Sequence, residues 1–230
     1  MSKSIVITQS NYIPWKGYFD AIHLADEFVL YDDVQFTKGD WRNRNQIKTQ
    51  GGVKWLTIPV EVKGKYSQKI KDTRISDPRW ARKHWEAIRH SYSKSEFFKD
   101  YRELFEELYL GCDEEFLSRV NFRFLEAINR VLGIETRISW SSDYELPEGK
   151  NERLVSICRE AGATKYISGP AAKDYLDESV FRQEGIEVEW MDYSGYPEYC
   201  QLFPPFEHAV TILDLLFCEG STAKTFMKSF

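Results

Sequence analysis

The sequence predicts an α/β fold: a single domain over residues 1–230 with a mostly parallel sheet and a helical insertion at about 78–132. Short apolar runs alternate with amphipathic segments in the first and last parts of the chain, a pattern typical of parallel sheets. Between them, apolar residues recur every three to four positions, as in helices that pack on a core. A chain of 230 residues can bury such a core without disulfides or metal ions.

The first part of the chain predicts a strand, a loop, a helix and a second strand. Residues 5–8 are apolar and mostly β-branched, the pattern of a buried strand. A polar loop follows, and the spacing then predicts a helix over 18–25. Residues 27–34 have the pattern of the second strand and end in two adjacent aspartates. This succession is the start of a parallel α/β sheet.

The middle of the chain predicts a β-hairpin and then the helical insertion. Residues 46–49 and 53–60 have strand patterns around a Gly-Gly pair, and residues 69–75 are a candidate third strand beside them. From residue 80 onwards apolar side chains recur at helical spacing, and Gly133 ends that stretch. Most aromatic residues of the stretch have core spacing, so we expect them to be structural.

The last third of the chain returns to alternating strands and helices. Its predicted strands are residues 136–140, 165–168 and 186–193, and its predicted helices are residues 151–161, 171–183 and 210–217. Gly162 follows the first of these helices, in the position where glycine commonly ends a helix. No repeat or low-complexity linker divides the chain, which favours one domain.

Composition excludes several classes of protein. The chain has 36 Asp and Glu against 31 Lys and Arg, which gives a net charge of -5. This charge argues against a nucleic-acid-binding protein that contacts the phosphate backbone over its whole surface. Four cysteines without a CxxC pair give no metal-site spacing. No apolar run reaches the roughly 18 residues that span a bilayer, and we expect no secretion signal because the first residues form no long apolar stretch. We therefore expect a cytoplasmic protein with a small-molecule substrate, and the oligomeric state stays open.

Positive charge is concentrated in the N-terminal third. Residues 1–75 carry 12 Lys and Arg against 8 Asp and Glu, a balance of +4, whereas the remainder carries 19 against 28. Aromatic residues make up 15% of the chain, and Trp and Tyr often line ligand pockets. A basic third in an acidic protein indicates either a local anionic ligand or an uneven surface.

The loop after the first strand is the first candidate site. Ligands of open α/β sheets bind beyond the carboxyl ends of the strands, where helix starts offer N–H groups to anions. Candidate ligand-binding residues of this loop are Gln9, Asn11, Tyr12, Trp15 and Tyr18, with Lys16 as a candidate catalytic charge. Nucleotidyltransferases have His-x-Gly-His at this turn, where the chain has WKGY. The strand-loop-helix layout resembles that of nucleotidyltransferases, and the resemblance implies a Rossmann-like (nucleotidyltransferase/HUP-like) topology without the catalytic imidazoles.

Three further segments contain candidate site residues. Neighbouring side chains of a strand point to opposite faces, so at most one of Asp32 and Asp33 faces a pocket as a general base. Arginine-rich residues 37–48 suit a phosphate or carboxylate, and their tryptophan also suits stacking on single-stranded nucleic acid. The candidate ligand-binding residues are Gln35, Trp41, Arg42, Asn43, Arg44, Lys48, Ser168 and Gly169. Ordinary loops and turns also have such compositions.

Taken together, the motifs resemble those of the bacterial WbqC-like protein family. The resemblance is carried by Gln9, NYIPWKGYFD at 11–20, YDDVQF at 31–36, WRNRNQIK at 41–48, LTIPV at 56–60, YISGPAAKDYLD at 166–177 and FPPFEHAVTILDLLFCEG at 203–220. It extends along nearly the whole chain, and its first block is the most specific. The resemblance implies a role in surface polysaccharide (O-antigen) biosynthesis, with transfer of a glycyl or aminoacyl group to an amino sugar.

Three hypotheses about function follow. In the first, a transferase holds the diphosphate of a nucleotide-linked or lipid-linked sugar with arginines, and an aspartate deprotonates the acceptor amine. In the second, the protein is an ATP-dependent activating enzyme of nucleotidyltransferase-like fold. In the third, it is a non-catalytic sugar-nucleotide-binding protein of the same pathway. The cofactor is unknown: the sequence has no metal motif, and a nucleotide or nucleotide-linked sugar is the candidate.

Overall fold

A central sheet of five parallel strands organises the protein, whose computed structural model describes residues 2–230. The strands of the chain are β1 (Ser4–Thr8), β2 (Glu27–Leu30), β3 (Arg44–Thr49), β4 (Gly52–Thr57), β5 (Arg137–Trp140), β6 (Lys165–Ser168) and β7 (Glu187–Trp190). The parallel strands have the order β5-β2-β1-β6-β7, and β3 and β4 form a separate antiparallel hairpin. From the central β1 the chain builds one side of the sheet first and then the other.

Helices cover both faces of this sheet. They are α1 (Lys16–His23), α2 (Trp80–Tyr92), α3 (Phe98–Leu110), α4 (Leu117–Leu132), α5 (Lys150–Glu160), α6 (Glu178–Gln183) and α7 (Ile212–Glu219). Successive side chains of β1 point to opposite faces of the sheet. Val6 packs in the core with α1 to α4 and α7, whereas Ile5 and Ile7 pack with α5 and α6. The predicted α/β fold with a mostly parallel, Rossmann-like sheet is thus confirmed.

The region of the predicted insertion contains the three helices α2, α3 and α4. Their aromatic side chains pack on one another: the ring of Trp85 stacks at 6.1 Å on both Phe98 and Tyr109. α4 ends where the sequence predicts, because Gly133 adopts the left-handed conformation with φ of 63°. Within residues 2–230, no helix is both long and apolar enough to cross a membrane.

Several predicted strands differ from the structure, among them β4 and β7, which end at Thr57 and Trp190 and not at residues 60 and 193. β2 ends at Leu30, opposite the last residue of β5, so the two aspartates lie in the turn beyond the strand. The prediction of a third strand at residues 69–75 is wrong. Ile70–Asp72 forms a 3₁₀ turn, and only isolated bridges such as Val60 to Ile75 occur around it. A single bridge cannot extend a ladder, so the hairpin keeps two strands.

One predicted helix is divided in the structure. In place of a helix over 171–183, a 3₁₀ turn, Pro170–Asp174, precedes the short α6. Asp177 causes the division, because its carboxylate accepts the N–H of Ser179 at 2.9 Å and so starts a new helix there.

Candidate functional site

A cleft of about 830 Å³ opens beyond the carboxyl ends of β1 and β6. At these neighbouring strands the chain leaves in opposite directions, from β1 towards β2 and from β6 towards β7. The connecting loops diverge there, and open α/β sheets bind ligands in the crevice that results. Gln9 follows β1, Gly169 follows β6, and both line the cleft. The topology therefore brings together candidate residues that are far apart in sequence.

The cleft has a net positive charge. Its charged lining residues are Asp33, Arg42, Lys69, Lys150 and Arg153. Helix α5 begins at Lys150, and Gly149, which precedes it, also lines the cleft. The positive end of the helix dipole thus lies beside the four cationic side chains. Such a combination suits an anionic ligand group such as phosphate or carboxylate.

Asp33 is the carboxylate of this cleft. Its oxygens accept a hydrogen bond from Ser141 Oγ at 3.0 Å and form ion pairs with Lys71 Nζ at 2.5 Å and Lys69 Nζ at 3.2 Å. Burial favours the neutral acid, but hydrogen bonds from Lys71, Ser141 and Lys69 outweigh it, so the pKa of Asp33 lies below its usual value. Asp33 is therefore ionised at neutral pH, the state that a general base requires.

Asp32 has a different environment from its neighbour. It is 1% exposed and accepts hydrogen bonds from the Ser10 N–H at 2.9 Å and from the Ser118 hydroxyl. Burial raises the pKa of Asp32 in spite of these donors. Ser118 belongs to α4, so Asp32 connects the first loop to the helical layer. It lines a smaller pocket of about 290 Å³ and not the cleft.

The first loop is fixed by buried hydrogen bonds. Tyr12 is fully buried, and its hydroxyl lies 2.9 Å from His84 Nδ1 and 2.8 Å from the Tyr109 hydroxyl. Ile13 has a φ of 36°, a conformation that β-branched residues rarely adopt. The Asn45 side chain donates to the carbonyls of Tyr12 and Ile13 at 3.0 and 2.9 Å. These contacts keep the strained loop in one conformation.

Arg42 joins the basic segment to the first loop. Its Nη1 donates to the carbonyl of Gln9 at 3.3 Å and to Oδ1 of Asn11. The Tyr18 hydroxyl donates to the same Gln9 carbonyl at 3.0 Å. The Arg42 side chain is only 14% exposed and lines the cleft. Its guanidinium is therefore positioned before any ligand arrives.

A second cavity of about 590 Å³ adjoins the cleft, and Tyr193 lines both. We refer to it as the aromatic chamber, because Trp15, Trp41 and Tyr196 form its other aromatic walls. The Trp15 ring packs nearly edge-on against Tyr193 at 5.4 Å and Tyr196 at 5.2 Å. Gly17 makes room for it, since a Cβ there would lie 2.4 Å from the indole.

The structure distributes the sequence-predicted site residues over three places. Those that line the cleft are Gln9, Tyr18, Asp33, Gln35, Arg42, Ser168 and Gly169. Those that line the aromatic chamber are Asn11, Trp15 and Trp41. Those that line neither are Tyr12, Lys16, Asp32, Asn43, Arg44 and Lys48. Ten of the sixteen candidate residues therefore line one or other of two adjoining cavities.

The two lysines outside both cavities fasten the C-terminal part of the chain. Lys16 is 4% exposed and donates to the carbonyl of Pro197 at 2.7 Å. Burial lowers the pKa of Lys16 to about 8, although nearby Asp20 raises it. Lys48 is likewise buried and donates to the carbonyl of Pro205. Each of these side chains thus bonds to a backbone carbonyl, and neither lines the cleft or the aromatic chamber.

Asn43 and Arg44 belong to the hairpin. Asn43 is buried and donates to the carbonyl of Ile58 at 2.8 Å. The Arg44 guanidinium lies over the Trp55 ring, 4.1 Å from its centroid. Arg42 precedes β3 and lines the cleft, whereas Asn43 and Arg44 contact the hairpin.

Sequence reasoning missed several lining residues. They are Lys69, Lys150 and Arg153 in the cleft, Tyr196 in the aromatic chamber, and Tyr193 in both. Lys150 and Arg153 begin a helix that follows a strand, and the rule applied to the first strand would have identified them. Lys69 lies in the segment predicted as a third strand, and no motif there indicates a site. The two tyrosines come from an irregular segment whose position depends on the tertiary fold.

Within the described residues, no group of three or more His, Cys, Asp or Glu side chains is arranged to hold a metal ion. The four cysteines are free, and burial raises the pKa of Cys158 and of Cys218 to about 12. The basic residues that line the cleft suit a phosphate-containing cofactor or substrate.

Fold and site define an α/β protein with a Rossmann-like sheet and a basic cleft at the switch point of that sheet. The chain belongs to the WbqC-like protein family, which it matches over residues 9–226, as the sequence motifs predict. An uncharacterized protein of Mycobacterium tuberculosis, Rv1507c, is 50% identical over 226 residues, which make up 98% of each chain. No solved structure matches the chain.

Proposed function

We propose that the protein transfers a glycyl or other aminoacyl group to the amino group of a nucleotide-linked sugar in bacterial surface polysaccharide biosynthesis. The family resemblance suggests this reaction class. One observation at the site supports it: four cationic side chains and one ionised carboxylate line the same cleft. Cations suit a diphosphate, and a carboxylate suits removal of a proton from an amine.

The proposed mechanism assigns a role to each charged group. Arg42, Lys150 and Arg153 bind the diphosphate of the acceptor, the arginines by pairs of hydrogen bonds. Asp33 accepts the proton that the amine loses. The amine nitrogen forms a bond to the activated acyl carbon, and the bond from that carbon to its leaving group breaks with the electron pair on the leaving group. Lys69 and Lys71 keep Asp33 ionised between turnovers.

Mass spectrometry tests the proposed reaction. Purified protein is incubated with a panel of nucleotide-linked amino sugars and with glycyl donors that carry a thioester or a tRNA ester. We expect one sugar to gain the mass of a glycyl residue. No gain with any pair, although nucleotide sugars bind, would contradict aminoacyl transfer.

An Asp33→Asn variant tests the role of the carboxylate. It should lose turnover and keep the binding of nucleotide sugars, because the cations remain. Asp100→Asn is the matched control, since Asp100 is exposed on α3, away from the cleft. Equal turnover of Asp33→Asn and wild type would exclude Asp33 as the base. The third hypothesis, non-catalytic binding, predicts no turnover in wild type or in any variant.

The start of α5 favours a second candidate function, ATP-dependent activation of the transferred acid. Lys150 and Arg153 lie with the helix N-terminus at the cleft, an arrangement that also suits a triphosphate. Release of pyrophosphate on addition of ATP and glycine would favour this function over direct transfer. Absence of release in the presence of a working glycyl donor would exclude it.

A further inference from the structure

The aromatic chamber differs from the cleft in its chemistry. Its lining residues include no Lys, Arg, Asp or Glu, whereas five charged side chains line the cleft. Its volume of about 590 Å³ lies within the range of small-ligand pockets. An uncharged cavity with aromatic walls favours a flat, uncharged ring over a phosphate group. The two cavities therefore suit different parts of one ligand.

The rings of the chamber are positioned to stack on such a ligand. Trp15 is held edge-on between Tyr193 and Tyr196, at 5.4 and 5.2 Å. Trp41 packs on the Trp55 ring at 5.1 Å and is 38% exposed. A fixed ring loses little conformational freedom on binding, so the chamber is preorganised for a planar group.

Polar groups at the chamber suit the edge of a nucleobase. Asn11 uses its amide oxygen to accept from Arg42, and its amide nitrogen has no hydrogen-bond partner among residues 2–230. The His208 ring, which also lines the chamber, is without a hydrogen bond to the described residues. Bases present donors and acceptors on their edges, and asparagine side chains commonly bind them.

We propose that the aromatic chamber binds the nucleobase of a nucleoside diphosphate whose phosphates lie in the cleft. The proposal rests on the proposed function in requiring a nucleotide-containing substrate, and it holds equally for a sugar nucleotide and for ATP. Tyr193 lines both cavities, and Arg42 of the cleft bonds Asn11 of the chamber. The ribose crosses this junction, the diphosphate meets Arg42, and the reacting group lies near Asp33.

Titration calorimetry with pyrophosphate and with UDP, ADP and GDP tests this assignment. We expect at least one nucleotide to bind roughly tenfold or more tightly than pyrophosphate, because base stacking on aromatic rings adds to phosphate binding. Trp41→Ala should abolish that advantage and leave pyrophosphate affinity unchanged. Lys150→Gln should weaken pyrophosphate and nucleotides by the same factor.

The control variant is Trp190→Ala, which removes a tryptophan that lines neither cavity. Melting curves establish that each variant is folded, and Trp41 is exposed enough to be replaced without opening the core. If nucleotides bind no more tightly than pyrophosphate, or if Trp41→Ala keeps their advantage, the chamber is not the base site, while the cleft still binds phosphate. If neither pyrophosphate nor any nucleotide binds, the proposed function fails together with this inference.

Discussion

The two adjacent aspartates illustrate how environment decides the role of a side chain. Asp32 is enclosed by the first loop and α4, and burial raises its pKa. Asp33 is also mostly buried, yet two lysines and Ser141 keep its pKa below the usual value. The sequence predicts that at most one faces a pocket, but the cations that distinguish them come from residues far along the chain. Only the structure shows that Asp33 lines the cleft and Asp32 does not.

His84 should make the stability of the protein depend on pH. Burial lowers the pKa of His84 to about 4, although a hydrogen bond to the Thr57 carbonyl raises it. Between about pH 6.5 and pH 4 this histidine is protonated in the unfolded chain but not in the folded protein. Acidification over that range should therefore lower the free energy of unfolding by up to roughly 3 kcal/mol. Urea unfolding from pH 7 to pH 4 measures this. The decrease in the free energy of unfolding should be smaller in His84→Gln than in wild type. Equal decreases in the two proteins would contradict the prediction.

Gly17 should control the aromatic chamber through Trp15. In Gly17→Ala the new Cβ would lie 2.4 Å from the Trp15 indole, so the ring must move. Alanine favours a helix by about 1 kcal/mol over glycine, and α1 itself should therefore stay intact. We expect nucleotide affinity to fall several-fold and pyrophosphate affinity to stay unchanged in calorimetry. Gly51→Ala, where a Cβ has ordinary contacts, is the control; equal nucleotide affinities of the two variants would contradict this coupling.

At the scale of elements, the end of α4 gives a further prediction. Gly133 has a φ of 63°, which costs other residues about 1–2 kcal/mol. Gly133→Ala should therefore lower the melting temperature by about 2–4 °C for each kcal/mol lost, without changing phosphate binding. Thermal unfolding followed by circular dichroism measures the change. A melting temperature equal to that of wild type would show that the helix end relaxes without strain.

Elements with a clear period could be predicted from the sequence, and those set by single contacts could not. Strand β6 and the end of α4 agree with the sequence pattern because burial and one glycine determine them. The helix predicted over 171–183 failed, since one capping carboxylate, Asp177, restarts the helix. The strand predicted at 69–75 failed because β-propensity alone does not supply a partner strand.

At the scale of the whole molecule, the candidate site was predictable in part. The rule that ligands bind beyond strand ends identified Gln9, Asp33 and Ser168, which line one cleft. The chamber is different, because its walls come from the first loop, the start of the hairpin and the segment after β7. No local pattern places Tyr193 and Tyr196 against Trp15; that contact depends on the path of the irregular segment after β7.

Residues 228 and 229 bond to one buried carboxylate. Asp20 of α1 is fully buried and accepts the backbone N–H groups of Lys228 at 3.1 Å and Ser229 at 3.0 Å. It also accepts the hydroxyl of Tyr196 at 2.5 Å, and Tyr196 lines the aromatic chamber. The last residues of the chain and the chamber wall therefore share one acceptor.

Removal of residues 228–230 should consequently affect both stability and nucleotide binding. Asp20 would lose every donor except Tyr196, and an under-bonded buried acceptor costs about 1–3 kcal/mol. The melting temperature should fall, and the tyrosine should shift enough to weaken nucleotide binding while pyrophosphate binding in the cleft persists. Removal of Phe230 alone is the control, because it leaves the donors to Asp20 in place. If both truncations bind nucleotides as wild type does, these bonds to Asp20 have no influence on the chamber.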